Sequence, residues 1–146
     1  MKNSTQILHD LASASRDGKS FYEQAAKKVD DTGLKTLFTR IANVKGDIVQ
    51  GLATDSRMSV NMHSGAMAED FNKVYGEVRP HLGERNYAYL SKLEESESHL
   101  LKTLDKLHND KDIPAGTRSV INHLVPEVRD CHDLLQARKI ELRKAA

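Results

Sequence analysis

The stretch from Asn86 to His108 constrains this chain more than any other. Its apolar residues are Leu90, Leu93, Leu100, Leu101, Leu104 and Leu107, spaced to line one face of a helix instead of alternating as on a strand. Glu97 stands in the gap of that series, where a hydrophobe belongs, and Glu94 lies one turn before it. A carboxylate on a core-facing stripe is costly unless it is paired, protonated or bound to metal. The chain must therefore pack helix on helix, and it must find Glu97 a partner.

The same spacing recurs elsewhere. From about Thr5 to Val29 one stripe carries Leu8, Leu11, Ser15, Gly18, Tyr22, Ala25 and Val29, with Ser4 as the expected N-cap. Gly18 inside a helix costs roughly 1 kcal/mol against Ala, so it signals close approach by a second helix or a bulky side chain. Asp30 to Gly33 is a stop, with Asp31 or Thr32 capping a second helix to about Thr54 on Leu34, Leu37, Ile41, Val44, Ile48 and Leu52. Gly46 and Gly51 weaken its second half. So short a link makes the first two helices an antiparallel hairpin.

The period fails from Asp55 to Gly65, which reads as a loop. A shorter helix, about Ala66 to Arg79, follows on Met67, Phe71, Val74 and Val78; Pro80 ends it and Gly83 marks a turn. These segments put about 30 residues between the second and third long helices, too many for a tight hairpin and enough to cross a bundle. After a link at Asn109 to Ile113, with Asp112 as a cap, the fourth long helix runs to about Arg143 on Val120, Ile121, Leu124, Val128, Cys131, Leu135 and Leu142. Pro126 falls inside it and predicts a kink. The fold class is all-α: two helical hairpins joined by a long crossover with a short extra helix, a ferritin-like four-helix bundle forming a single domain over residues 1–146.

Charge narrows the partners. Lysine and arginine are interspersed with aspartate and glutamate, and the net charge is +1, so bulk electrostatics point neither to nucleic acid nor to an anionic membrane. One cysteine, Cys131, fits a reducing compartment, and no apolar run has signal-peptide or membrane-span length. The expectation is a soluble, cytoplasmic protein. Phe71, Val74, Tyr75 and Val78 on a short crossover helix leave apolar surface over, which predicts a homodimer.

Spaced residues along most of the chain resemble a bacterial ferritin-like four-helix-bundle family of unknown function. They are Asp17-Gly18, Tyr22 and Ala25-Ala26 in the first helix, and Leu37-Phe38, Arg40 and Ala42 in the second. Ser64-Gly65 opens the crossover helix, Glu94 and Glu97 sit in the third long helix, and Val128 with His132-Asp133 in the fourth. The resemblance implies the fold. It departs at Val44, where that family often has Glu, and at Leu124, where it often has Gln; both replace a possible ligand by a hydrophobe.

A di-iron or di-manganese centre in such a bundle needs a carboxylate from each of two helices and a Glu-x-x-His step from each of the others. The chain has no Glu-x-x-His. Glu127 and His132 are five apart, about 140° around a helix, and Arg129 occupies the position three before His132. Asp47, the acid in the middle of the second helix, lies one step off the stripe. Glu23, Glu94, Glu97 and His132 remain as metal candidates, enough for a degenerate or mononuclear Fe or Mn site. The bland alternative is that Glu97 meets a cation, or hydrogen-bonds Tyr22 or His132, and helps fix helix register.

Two other constellations carry chemistry. His99 with Leu101 and Lys102 resembles the phosphoacceptor step of histidine phosphotransfer domains, although Thr103 stands where those usually have Gly. Met58, Met62, His63 and Met67 are soft ligands for Cu(I) or, more simply, gap-filling residues. The sequence therefore predicts a non-catalytic structural or interaction protein with a degenerate metal centre and no required cofactor. A metal-binding protein is the alternative, and a phosphotransfer module the weaker one.

Overall fold

A computed structural model describes residues 4–55, 58, 65–83 and 87–145, and the described residues are helical with no strand. Five α-helices follow in order: α1 Ser4–Lys28, α2 Thr32–Leu52, α3 Ala66–Val78, α4 Tyr87–His108 and α5 Ala115–Ala145. A 3₁₀ turn at Arg79–His81 holds Pro80, where its missing N–H costs nothing. Met62, His63 and Ser64, like Asn86, lie outside the described residues.

The first link is closed by Asp31, whose Oδ1 accepts from the Leu34 N–H at 2.9 Å as the N-cap of α2. The Leu34 N–H, and with it the Arg138 guanidinium, holds the Asp31 carboxyl below its ordinary value. The Arg138 contact, 2.6 Å to Oδ2, fastens the far end of α5 to the start of α2. Two local readings are corrected here. Ser4 is helical, and its hydroxyl donates to Asp110 Oδ2 at 2.6 Å instead of capping α1. Asp110, not Asp112, organises the α4–α5 link, its Oδ1 accepting from the Asp112 N–H at 2.9 Å. A carboxylate that serves a turn and a distant helix start at once outcompetes a purely local cap.

Helix α1 packs along α2, α4 along α5, and α2 against α5, while α3 lies between α1 and α4. Leucine, isoleucine, valine and alanine from all five helices close one continuous core. Pro126 is exposed on α5, which continues through it. The crossover is held by aromatic packing: the Phe21 and Tyr75 rings stack at 4.6 Å, Tyr22 meets Tyr75 edge-on at 6.1 Å, and Tyr22 lies 5.6 Å from Phe38. Tyr75 crosses α1 at Gly18, where an added Cβ would stand 2.7 Å from the phenol oxygen. Gly18 is thus the close-approach glycine its position predicts. At the other end of α3, the buried Asp10 of α1 accepts from the Gly65 N–H and tethers the helix start.

The apolar face of α3 is largely spent inside the chain. Phe71, Tyr75 and Val78 are buried, and Met67 and Val74 are partly buried against the core. Among the described residues the exposed large hydrophobics are instead Leu134 and Ile140, on α5.

Candidate functional site

Glu97 is 1% exposed and Lys45, from α2, is 2% exposed. The Lys45 ammonium lies 2.8 Å from Glu97 Oε1 and donates to Oε2 at 2.9 Å, so both carboxylate oxygens face one cation. Tyr22, fully buried on α1, donates its hydroxyl to Oε1 at 3.3 Å. Three helices each contribute one group to a polar centre inside the hydrophobic core.

Burying two ions costs several kcal/mol apiece, and only close geometry with extra hydrogen bonds recovers it. This centre has both. The negative field of Glu97 is felt by its neighbours: burial first, then Glu97, pushes the Tyr22 phenol well above its ordinary pKa, and the same two causes act on Tyr75. Cys131, free and buried on α5, is pushed up to about 11 by burial and then by Glu97, against opposing pulls from Arg40 and Lys45. The nearby hydroxyls and thiol therefore stay protonated at neutral pH, and Lys45 supplies the charge that balances Glu97.

Lys45 was not among the residues that the sequence singles out, yet a signal existed. It falls seven after Phe38, four after Ile41 and three before Ile48, all buried on the same face of α2. Gly18 makes room for it as well, since a Cβ there would lie 3.3 Å from the Lys45 Cε.

Glu94, one turn earlier on α4, has different company. Its Oε2 lies 3.2 Å from His132 Nε2, and its Oε1 accepts from the Lys139 ammonium. His132 Nδ1 faces Asp133 Oδ1 at 3.1 Å. This cluster is partly open, with side-chain exposures of 14% for Glu94 and 17% for His132. His132 thus meets Glu94, not Glu97. Glu23 sits on the outer face of α1 in an exposed pair with Lys19, 3.0 Å apart. Of the four candidate ligands, the structure brings Glu94 and His132 together and gives Glu97 and Glu23 to lysines. Among the described residues, no three His, Cys, Asp or Glu side chains gather closely enough to hold a metal ion.

His99 is exposed beside the partly buried Leu101 and exposed Lys102, and its ring lies 5.7 Å from that of Phe71. Two hollows open beside it, one of about 420 Å³ in the α3–α4 seam and one of about 240 Å³ between Ile7 and Asp10 of α1, Met67 of α3 and Thr103 and Leu107 of α4. Met58 and Met67 pack against the core, and Met67 Sδ receives the Thr103 hydroxyl at 3.9 Å. No described helix is long and apolar enough to cross a membrane.

A family model described as a domain of unknown function, DUF2383, matches residues 3–110. That segment holds α1 through α4, and with them Tyr22, Lys45 and Glu97, whereas α5 with Cys131, His132 and Lys139 lies beyond it. No curated protein and no solved structure matches the chain.

Proposed function

The chain belongs to the DUF2383 family, and from that premise we propose that it is a ferritin-like four-helix-bundle protein with a non-catalytic structural or interaction role. Its interior centre carries a lysine in place of a metal ion. The observation behind this reading is the Lys45 ammonium 2.8 Å from a carboxylate that is itself 1% exposed. A cation bound to Glu97 would have to displace a lysine with no route to water, or stand beside it and be repelled. The pair instead joins α2 to α4 at one register, the role best attested for buried polar groups. A cytoplasmic location and a homodimer go with this reading; the free, buried Cys131 and the exposed Leu134 and Ile140 of α5 are what support them.

The alternative is an iron- or manganese-binding protein. It draws on Glu94 and His132, already 3.2 Å apart and partly open to solvent. A metal there would need Lys139 to move away and further ligands to arrive, with Glu23 and Glu97 recruited from their lysines. The two readings separate in one experiment: thermal melting of wild type and Glu97→Gln, each with and without added Fe²⁺ or Mn²⁺, beside elemental analysis of protein purified without chelator. The expected result is no metal-dependent rise for either protein. A clear rise for wild type alone would establish the metal reading.

A further inference from the structure

Helix α3 meets its two neighbours unequally. Its buried face, with Phe71, Tyr75 and Val78, closes against the core, while the seam toward α4 stays open as a groove of about 420 Å³. One wall of that groove is Asp70, Val74 and Glu77, at i, i+4 and i+7 on α3; the other is Lys92, Glu95 and His99, at i, i+3 and i+7 on α4. Each wall is therefore a helix face about 10 Å long. Phe71 and Ser96, both buried, form the floor.

The charge on these walls is lopsided. Lys92 and Glu77 neutralise one another across the seam at 2.8 Å. Asp70 and Glu95 are exposed and have no ion-pair partner among the described residues. The whole chain carries a net +1, so these two carboxylates around the Phe71 and Ser96 floor are a local feature and not a reflection of an acidic protein.

We propose that the α3–α4 groove is a docking site for a basic amphipathic helix of a protein partner. An aliphatic side chain would seat on Phe71 beside Val74, with lysine or arginine one turn away on either side meeting Asp70 and Glu95. A second copy of this chain is the competing occupant that the test must separate: of its exposed hydrophobics on α5, Leu134 adjoins Asp133, and Ile140 lies between Lys139 and Glu141.

The inference rests on the interaction role proposed above, and it has its own test: fluorescence anisotropy of a labelled leucine–lysine amphipathic helix titrated with the full chain. Saturable binding is expected, absent for the counterpart with glutamate in place of lysine, and weakened by added salt. Asp70→Lys combined with Glu95→Lys should weaken it about tenfold or more, with helicity and melting unchanged because both side chains are exposed. Should the double reversal lower the melting temperature, Glu95→Gln and Val74→Asp give the same comparison one side chain at a time. Equal binding of the acidic peptide, no saturation, or no response to charge reversal overturns the proposal. So does light scattering that shows self-association abolished by the reversal, since the groove would then hold a second copy. Failure of the groove leaves the metal-independent melt untouched, whereas a metal-dependent melt would remove the reading beneath it.

Discussion

Glu94 and Glu97 stand one turn apart on the same helix, and the molecule treats them in opposite ways. Glu97 turns inward, is 1% exposed, and meets a lysine and a tyrosine inside the core. Glu94 turns toward α5 and shares its charge between His132 and Lys139 at the edge of solvent. Three residues along a helix rotate a side chain by about 60° from its predecessor, enough to move a carboxylate from a low dielectric to a high one. The inner pair is expensive to form and more expensive to break. The outer cluster is cheap in both directions. Residue identity alone does not distinguish the two; the environment does.

The sharpest way to break this contrast is to remove the inner cation. Lys45→Met should destabilise by about 3–5 kcal/mol, because it leaves Glu97 buried without its cation and with the Tyr22 hydroxyl as its remaining partner. Lys45→Met with Glu97→Leu should recover most of that loss, or exceed wild type, since apolar residues of similar volume avoid both desolvation costs. Urea titrations of wild type, both single variants and the double variant give the coupling energy directly. Additive single and double variants would mean that the pair does not interact as its geometry requires.

The inner environment should also show in alkali. Cys131 moves from an ordinary 9.0 to about 11 in the folded chain. The unfolded chain therefore gives up this proton first. The contribution of this thiol is fully present below pH 9 and is lost as pH rises through about 11, by about 3 kcal/mol at most. Tyr22 and Tyr75, also raised, extend the loss in the same direction above pH 10. Melting curves across this window should fall less steeply for Cys131→Ala than for wild type. Parallel slopes would show that the thiol does not feel the centre.

Gly18 tests how tightly the crossover is fitted over that centre. An alanine there gains roughly 1 kcal/mol of helix propensity, but its Cβ would sit 2.7 Å from the Tyr75 hydroxyl, and such overpacking costs about 1–3 kcal/mol. Gly18→Ala should therefore destabilise wild type slightly. In a Tyr75→Phe background, where the crowding oxygen is gone, the same change should become stabilising. An unchanged sign in chemical denaturation would mean that α3 shifts freely and is not held by the phenol.

How far the sequence exposes all this depends on burial. The helices were legible because apolar residues at steps of three and four have no other economical arrangement, and the anomaly at Glu97 was legible as a break in that pattern. The Asp31 cap and the Gly18 contact were readable too, each from a local rule. Lys45 was hidden because a single lysine beside a hydrophobic stripe usually snorkels to water; only its alignment with Phe38, Ile41 and Ile48 hinted otherwise. That Glu97 would meet a cation or Tyr22 was readable from the break in the stripe, but that His132 and Lys139 would go to Glu94 was not. Nor was the tether from Asp10 to Gly65 or the bond from Ser4 to Asp110. Each joins residues 55 or more positions apart.

The smallest expected effect belongs to the outer cluster, and it is the one that tests whether environment decides the matter. Glu94→Gln keeps the size of the side chain and removes its charge. Because Glu94 is 14% exposed and already divided between two partners, its loss leaves no charge stranded in the core; His132 and Lys139 can turn toward water. The change should cost about 1 kcal/mol or less, and that cost should shrink as salt screens the pairs at the rim. Glu97→Gln, the same chemistry one turn away, should cost several times more, because Lys45 would remain buried with an amide for company. Its cost should barely respond to salt. Urea midpoints for the two variants at low and high ionic strength make the comparison direct. Equal losses, or a salt response larger at Glu97 than at Glu94, would show that the inner pair reaches water and that the contrast between the two glutamates is false.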